Sequence, residues 1–191
     1  MRIWKRKGWG RSVRLCSSLD AHEAQLLVSL VSSTGALLTE RAESAPRDEL
    51  AELTGIRTGH TAAPTDATLG RLLPDFHRPD QDGEPGTDGV DVRLNAALRS
   101  VNEPTIIDAK LAAARSMLDT LPPDGGDVTL TQEQAANWLT ALNDVRLALG
   151  AMLGISEDTP DHLPADHPHA AYLDVYHWLT AMQDLLLEAL M

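Results

Sequence analysis

TQEQAANWLTALNDVRLALGAMLGI, residues Thr131–Ile155, is the stretch whose reading decides the fold. Apolar residues recur at Trp138, Leu142, Val145, Leu149 and Met152, in steps of four and three. Ala135, Leu139 and Leu153 widen that stripe to the arc that a core-facing helix requires. Thr131 with Gln134 three positions on has the form of a capping box, which predicts the helix start. Gly154 is placed to end it, because a residue without Cβ adopts the left-handed terminal conformation freely.

At about 100° per residue, Arg146 falls between Leu139 and Leu142 on the inner side of this helix. Asn143 and Gly150 occupy the adjacent edge, and Asp144 points the other way. Two roles compete for such an arginine. It can pack its stem and meet a structural carboxylate, or it can bind a ligand in a pocket. An isolated buried charge costs too much to persist unpaired, so the structural role is preferred. Gly150 suits close approach by another helix.

Around this helix lies a chain of 191 residues, 43% of them hydrophobic. That length can bury about 70% of its unfolded surface in one domain. Aromatics make up only 4%, so the core is built from Leu, Ala and Val, a bias that favours helices. The expected fold is mainly α, a bundle of about four to six helices forming a single domain over 1–191. A small β-hairpin arm is expected over 1–17, and an irregular acidic loop over 55–90.

The net charge of −12 is unevenly distributed. Residues 1–14 carry Arg2, Lys5, Arg6, Lys7, Arg11 and Arg14 without an acid, leaving ten basic residues against 28 acidic ones in the remainder. An acidic body disfavours nucleic-acid binding apart from residues 2–14, and it disfavours anionic lipid. Cys16 stands alone, which rules out an intrachain disulfide or a cysteine metal cluster within this sequence and fits a reducing compartment. Asp20, His22 and Glu23 interrupt any signal-peptide core, and no apolar run is long enough for a membrane span. The expected location is the cytoplasm.

Residues Arg2–Lys7 and Arg11–Ser17 alternate around Gly8-Trp9-Gly10, a hairpin pattern. Trp4 and Trp9 among the basic residues could stack on nucleic acid, but an edge hairpin protected by its charges is the simpler expectation. Asp20, with Glu23 at the third helical position, caps a helix that runs to about Arg41. Glu23 lies a heptad before Leu30 and looks inward, which makes it the candidate counter-charge for Arg146. A short helix is expected over Asp48–Thr54. Within the following loop, Leu69–Phe76 forms an apolar island expected to dock on the core. The tract Asp80–Glu84 fails as an EF-hand, because Pro85 occupies the position that requires Gly and no Glu closes the loop.

Helices are expected over Asp91–Ser100 and Thr105–Leu121, reset between them by Asn102-Glu103-Pro104. Pro122–Gly126 stops the second, and Val128–Leu130 can run extended into the central helix. His162, His167 and His169 fall in a Pro-rich loop with irregular spacing, which favours a plain loop over a metal site. The last helix, about Ala170–Leu190, has an apolar arc broadened by Leu185 and Leu187, as full burial or a dimer face requires. Tyr176 and Trp178 on it need their polar atoms satisfied.

RLLPDF (Arg71–Phe76), WLTALNDVRLALGAMLGI (Trp138–Ile155) and VYHWLTAMQDLLL (Val175–Leu187) resemble an actinobacterial family called domain of unknown function two-thousand-seventeen. The resemblance covers nearly the whole chain. It excepts Asp80–Asp91, where the family's usual run around an aromatic-Arg pair is missing. Asn143, Asp144 and Arg146 form its most specific motif. The resemblance implies a helical cytoplasmic protein without established activity, whose genes often neighbour that of the Clp protease adaptor ClpS.

Three functions compete. The first is a non-catalytic regulatory or interaction protein with a protein partner or a second copy of itself, linked through that gene neighbourhood to regulated proteolysis. The second is a ligand-binding domain or enzyme, its polar pocket built from Arg146, Asn143, Glu23, Arg71 and Asp75. The sequence has no P-loop, dinucleotide fingerprint, HExxH helix or nucleophile–base pair to support chemistry, and no cofactor or metal is expected. The third is a transcriptional regulator, which needs an exposed basic recognition helix that the acidic helices do not offer. The candidate residues are Arg146, Glu23, Asn143 and Asp144 for an ion pair or ligand, and Arg71, Asp75, Tyr176 and Trp178 for an interaction surface.

Overall fold

A computed structural model of the chain describes residues 3–46, 55, 57–77, 88–164 and 166–191. Among these residues the fold is mainly α. Strands β1 (Lys5–Lys7) and β2 (Arg14–Leu19) lead into α1 (Ala21–Glu43), followed by α2 (Ala67–Leu72) and α3 (Asp88–Thr120). Then come β3 (Gly126–Leu130), α4 (Gln132–Leu153) and α5 (Ala170–Leu190). The helix expected over 48–54 and the acidic tract over 80–84 lie outside the described residues.

Helix α4 is the stretch read first, and α1, α2, α3 and α5 all pack on it. Its capping box is formed: the Gln134 amide donates to Thr131 Oγ1 at 3.1 Å, and the Thr131 amide to Gln134 Oε1 at 2.9 Å. Gly154 ends the helix in the left-handed region at φ 65°. Trp138, Leu142, Val145 and Leu149 are buried, but Met152 is 54% exposed. Strict four-three steps average 3.5 residues per turn, and two heptads of that pattern drift about 40° from a straight helix's face.

The N-terminal hairpin is part of a larger sheet. β2 pairs antiparallel with β1 on one side and with β3 on the other, Leu15 opposite Leu130 and Leu19 opposite Gly126. The segment expected only as an extended lead-in thus supplies the third strand and satisfies the second edge of β2. Side chains alternate across the sheet, so Leu15, Leu19, Val128 and Leu130 face the helices and are buried. Trp4 joins them, its ring edge-on to Trp138 at 5.7 Å between centroids. Trp9 at the turn is 92% exposed. Burial of Trp4 removes half of the aromatic pair considered for base stacking.

α1 starts as expected, with Asp20 and Glu23 exchanging amide–carboxylate hydrogen bonds of 2.8 and 2.9 Å. The apolar island begins within α2, capped by Asp66, continues past its end, and buries Leu72 and Leu73 against Leu38, Ile107 and Ala148. The two helices expected on either side of Pro104 are one continuous helix, α3. A proline cannot donate to the carbonyl four residues earlier, here Ser100. That oxygen instead accepts the Gly59 amide at 2.7 Å, so a contact from a distant loop makes the uninterrupted helix tolerable.

Candidate functional site

Asn143, Arg146, Leu147 and Gly150 follow at helical spacing on one face of α4. Arg146, Leu147 and Gly150 line a cavity of about 500 Å³, together with Arg71 from α2, Tyr176 from α5 and residues 151–157 in part. Gly150 permits the close approach of α5: a Cβ there would stand 3.3 Å from the Tyr176 ring. The turn after Gly154 folds back, the Ile155 amide donating to the Gly150 carbonyl at 2.9 Å. That brings Ile155, Ser156 and Glu157 to the same cavity.

Among the described residues no carboxylate holds Arg146. Its Nη2 donates to Asn143 Oδ1 at 3.3 Å, and its Nε is buried without an acceptor. Glu23, its expected counter-charge, caps α1 instead, and no ion pair joins the two. Thr34 of α1 lines the same small space as Asp144 of α4. Glu23 lies eleven residues before Thr34, about 16 Å along the helix, so it is too far towards the other end of α1.

Asp144 points away from Arg146 as the helical wheel requires, but it does not reach solvent. It is 4% exposed and accepts a hydrogen bond from Lys110 of α3. Burial raises its carboxyl above the usual aspartate value, against the lowering influence of the Lys110 hydrogen bond and charge.

The principal buried charges lie elsewhere, on α3 and its neighbours. Glu103 on α3 accepts from Arg41 Nε at 2.8 Å and from Arg99 Nη1 at 2.9 Å. Arg99 also donates to the Leu73 and Pro74 carbonyls and to Asp75 Oδ1 at 2.8 Å, and lies over the Phe76 ring. Arg99 and Glu103 are each 1% exposed. Together Arg41, Glu103, Arg99 and Asp75 form a charge chain that ties α1, α3 and the segment after α2. In the sequence these charges show only as the i, i+4 spacing of Arg99 and Glu103, which places the two on one face only if the helix continues through to Pro104.

Of the expected interaction residues, Asp75 belongs to this chain, while Arg71 and Tyr176 meet Arg146 at the cavity. Trp178 is half-buried and packs against the main core. The histidines do not converge on a cation: His167 lies beside His169, and His162 faces His177 at 6.5 Å between ring centroids. Among the described residues no group of three or more His, Cys, Asp or Glu is arranged to hold a metal. Cys16 is half-buried on β2, where the Thr129 hydroxyl donates to its Sγ at 3.7 Å. No described helix is long and apolar enough to cross a membrane.

The sequence model of a family described as Domain of unknown function (DUF2017) matches residues 1–190. Proteins from Mycobacterium bovis and Mycobacterium tuberculosis, each named Oxidative stress regulator AosR, are 50% identical over 193 aligned residues. The alignments cover 100% of this chain and 88% of each relative. A Mycobacterium leprae relative is 47% identical, with 100% of this chain and 89% of its own length covered. No solved structure matches.

Proposed function

We propose, from the premise that this chain belongs to the DUF2017 family, that it is a non-catalytic regulator of the response to oxidative stress. The observation that carries this is whole-length similarity, at 50% identity, to mycobacterial proteins named for that role. The use of ionisable groups supports it. Arg41 with Glu103 ties α1 to α3, and Lys110 with Asp144 ties α3 to α4, so these groups serve the packing of the helices.

In this proposal the protein acts in the cytoplasm through contact with a protein partner or a second copy of itself. A role in Clp-type regulated proteolysis, implied by the family resemblance, remains part of it. The exposed Trp9 and the basic residues around it offer one contact surface, since aromatic and cationic side chains dominate binding energy at interfaces.

The test is replacement. This chain is expressed in a Mycobacterium tuberculosis strain lacking its AosR relative, and survival under hydrogen peroxide is measured. Restored survival is expected, with Trp9→Ala restoring less. A soluble, fully expressed chain that restores nothing overturns the proposal.

A further inference from the structure

We infer that the cavity between Arg71 and Arg146 is a binding site for a small oxyanion, a carboxylate or a phosphate ester carried on an apolar body. The inference does not rest on the regulatory role proposed above, and either can fail without the other.

Charge pairing supplies the first reason. Arg41, Arg99 and Lys110, the other basic side chains drawn into the helical body, each meet a carboxylate. Arg146 meets none among the described residues, and neither does Arg71 across the cavity. In a chain with 28 acidic residues, two arginines at one cavity, neither of them paired with a carboxylate among the described residues, are unexpected on structural grounds. Glu157 lines the cavity too, so the lining sets one acid against two arginines and keeps a net positive charge.

The second reason is the state of Arg146 itself. Its Nε is buried without an acceptor, and its one hydrogen bond, to Asn143, is long at 3.3 Å. A buried donor left unsatisfied costs stability, and the guanidinium fork matches carboxylate and phosphate in shape and charge. A bound oxyanion would satisfy the fork and draw Arg71 to it, linking α2 to the end of α4.

The third is the cavity's shape. Its volume of about 500 Å³ lies within the roughly 300–1,000 Å³ typical of small-molecule sites. Leu147, Ala151, Ile155 and the Tyr176 ring give it apolar walls. Gly150 lets the Tyr176 ring come close enough to form one of those walls, because a Cβ there would press on it.

Titration calorimetry with phenyl phosphate, phenylacetate and the neutral benzyl alcohol tests the site. One equivalent of at least one oxyanion is expected to bind, with benzyl alcohol at least about tenfold weaker, the scale of one charge-assisted contact. Phenyl phosphate binding alone assigns a phosphate ester, phenylacetate binding alone a carboxylate, and binding of both an unselective oxyanion site. Arg146→Met and Arg71→Met should each weaken binding about tenfold or more. Arg71 is exposed, so its variant keeps the test valid if Arg146→Met fails to fold. Absence of binding by both oxyanions, equal binding of benzyl alcohol, or unchanged affinity in Arg71→Met overturns the inference.

Discussion

Gly59 and Pro104 are coupled through one carbonyl: the Gly59 amide donates at 2.7 Å to the Ser100 oxygen, the acceptor that Pro104 leaves without its helical donor. The two residues also touch. A Cβ on Gly59 would stand 3.0 Å from Pro104 Cδ and Cγ. Gly59→Ala should therefore destabilise the protein by about 1–2 kcal/mol through overpacking. In a Pro104→Ala background the ring is gone and most of that penalty should vanish. Urea denaturation of the two single variants and the double variant measures the coupling; additive effects would show that the contact is incidental.

Glu103 lies between Arg41 and Arg99 and is 1% exposed. Glu103→Ala leaves the largely buried Arg41 without its carboxylate and the buried Arg99 with only the half-exposed Asp75, and should cost about 3–5 kcal/mol. Asp75 holds the same Arg99, but its side chain is 55% exposed. Asp75→Asn should cost no more than about 1 kcal/mol. Thermal unfolding of both variants checks the order, and equal losses would contradict the assignment of Glu103 as the centre of the chain.

Asp144 should oppose the usual gain of stability with pH. Burial raises its carboxyl above the ordinary value of 3.8, despite Lys110. In the window between 3.8 and that raised value the folded state holds the proton more often than the unfolded state does. Stability from this group is therefore complete below 3.8 and is lost as pH rises through the folded value. Relative to Asp144→Asn, the wild type should lose stability as pH is raised from about 3 to about 7. Urea midpoints for both proteins across that range give the comparison, and a difference that grows in favour of wild type would reverse the sign.

Trp4 packs edge-on to Trp138, but its indole Nε1 is buried without a partner. Trp138 Nε1, by contrast, donates to Thr120 Oγ1 at 2.7 Å. Trp4→Phe keeps an aromatic edge contact and removes an unsatisfied donor, so it should cost less than about 1 kcal/mol. Trp4→Ala opens a cavity beneath the sheet and should cost about 3–5 kcal/mol. Trp138→Phe should cost more than Trp4→Phe because it removes a hydrogen bond that is made, from the indole to the Thr120 hydroxyl. Chemical denaturation of the three variants separates these cases.

Local chemistry written in consecutive residues was legible in the sequence alone. Thr131 with Gln134, Asp20 with Glu23, and Gly154 marked helix ends, because a cap is satisfied within about four residues of chain. The stripe from Ala135 to Leu149 identified the buried face of α4, and alternation around Gly8 and Gly10 placed β1 and β2. The wheel also put Arg146 beside Asn143 and Gly150, where the cavity lies. Tertiary structure decided every relationship that depends on a partner far along the chain. It paired β3 with β2 across more than 100 residues, and it allowed Pro104 inside a helix by bringing Gly59 to the Ser100 carbonyl. It matched Glu103 with Arg41 and Arg99, Asp144 with Lys110, and Glu23 with the cap of its own helix. The reason is physical: periodicity shows which face of an element is buried, but a charge on that face takes as its partner whichever group the packing brings within a few ångströms.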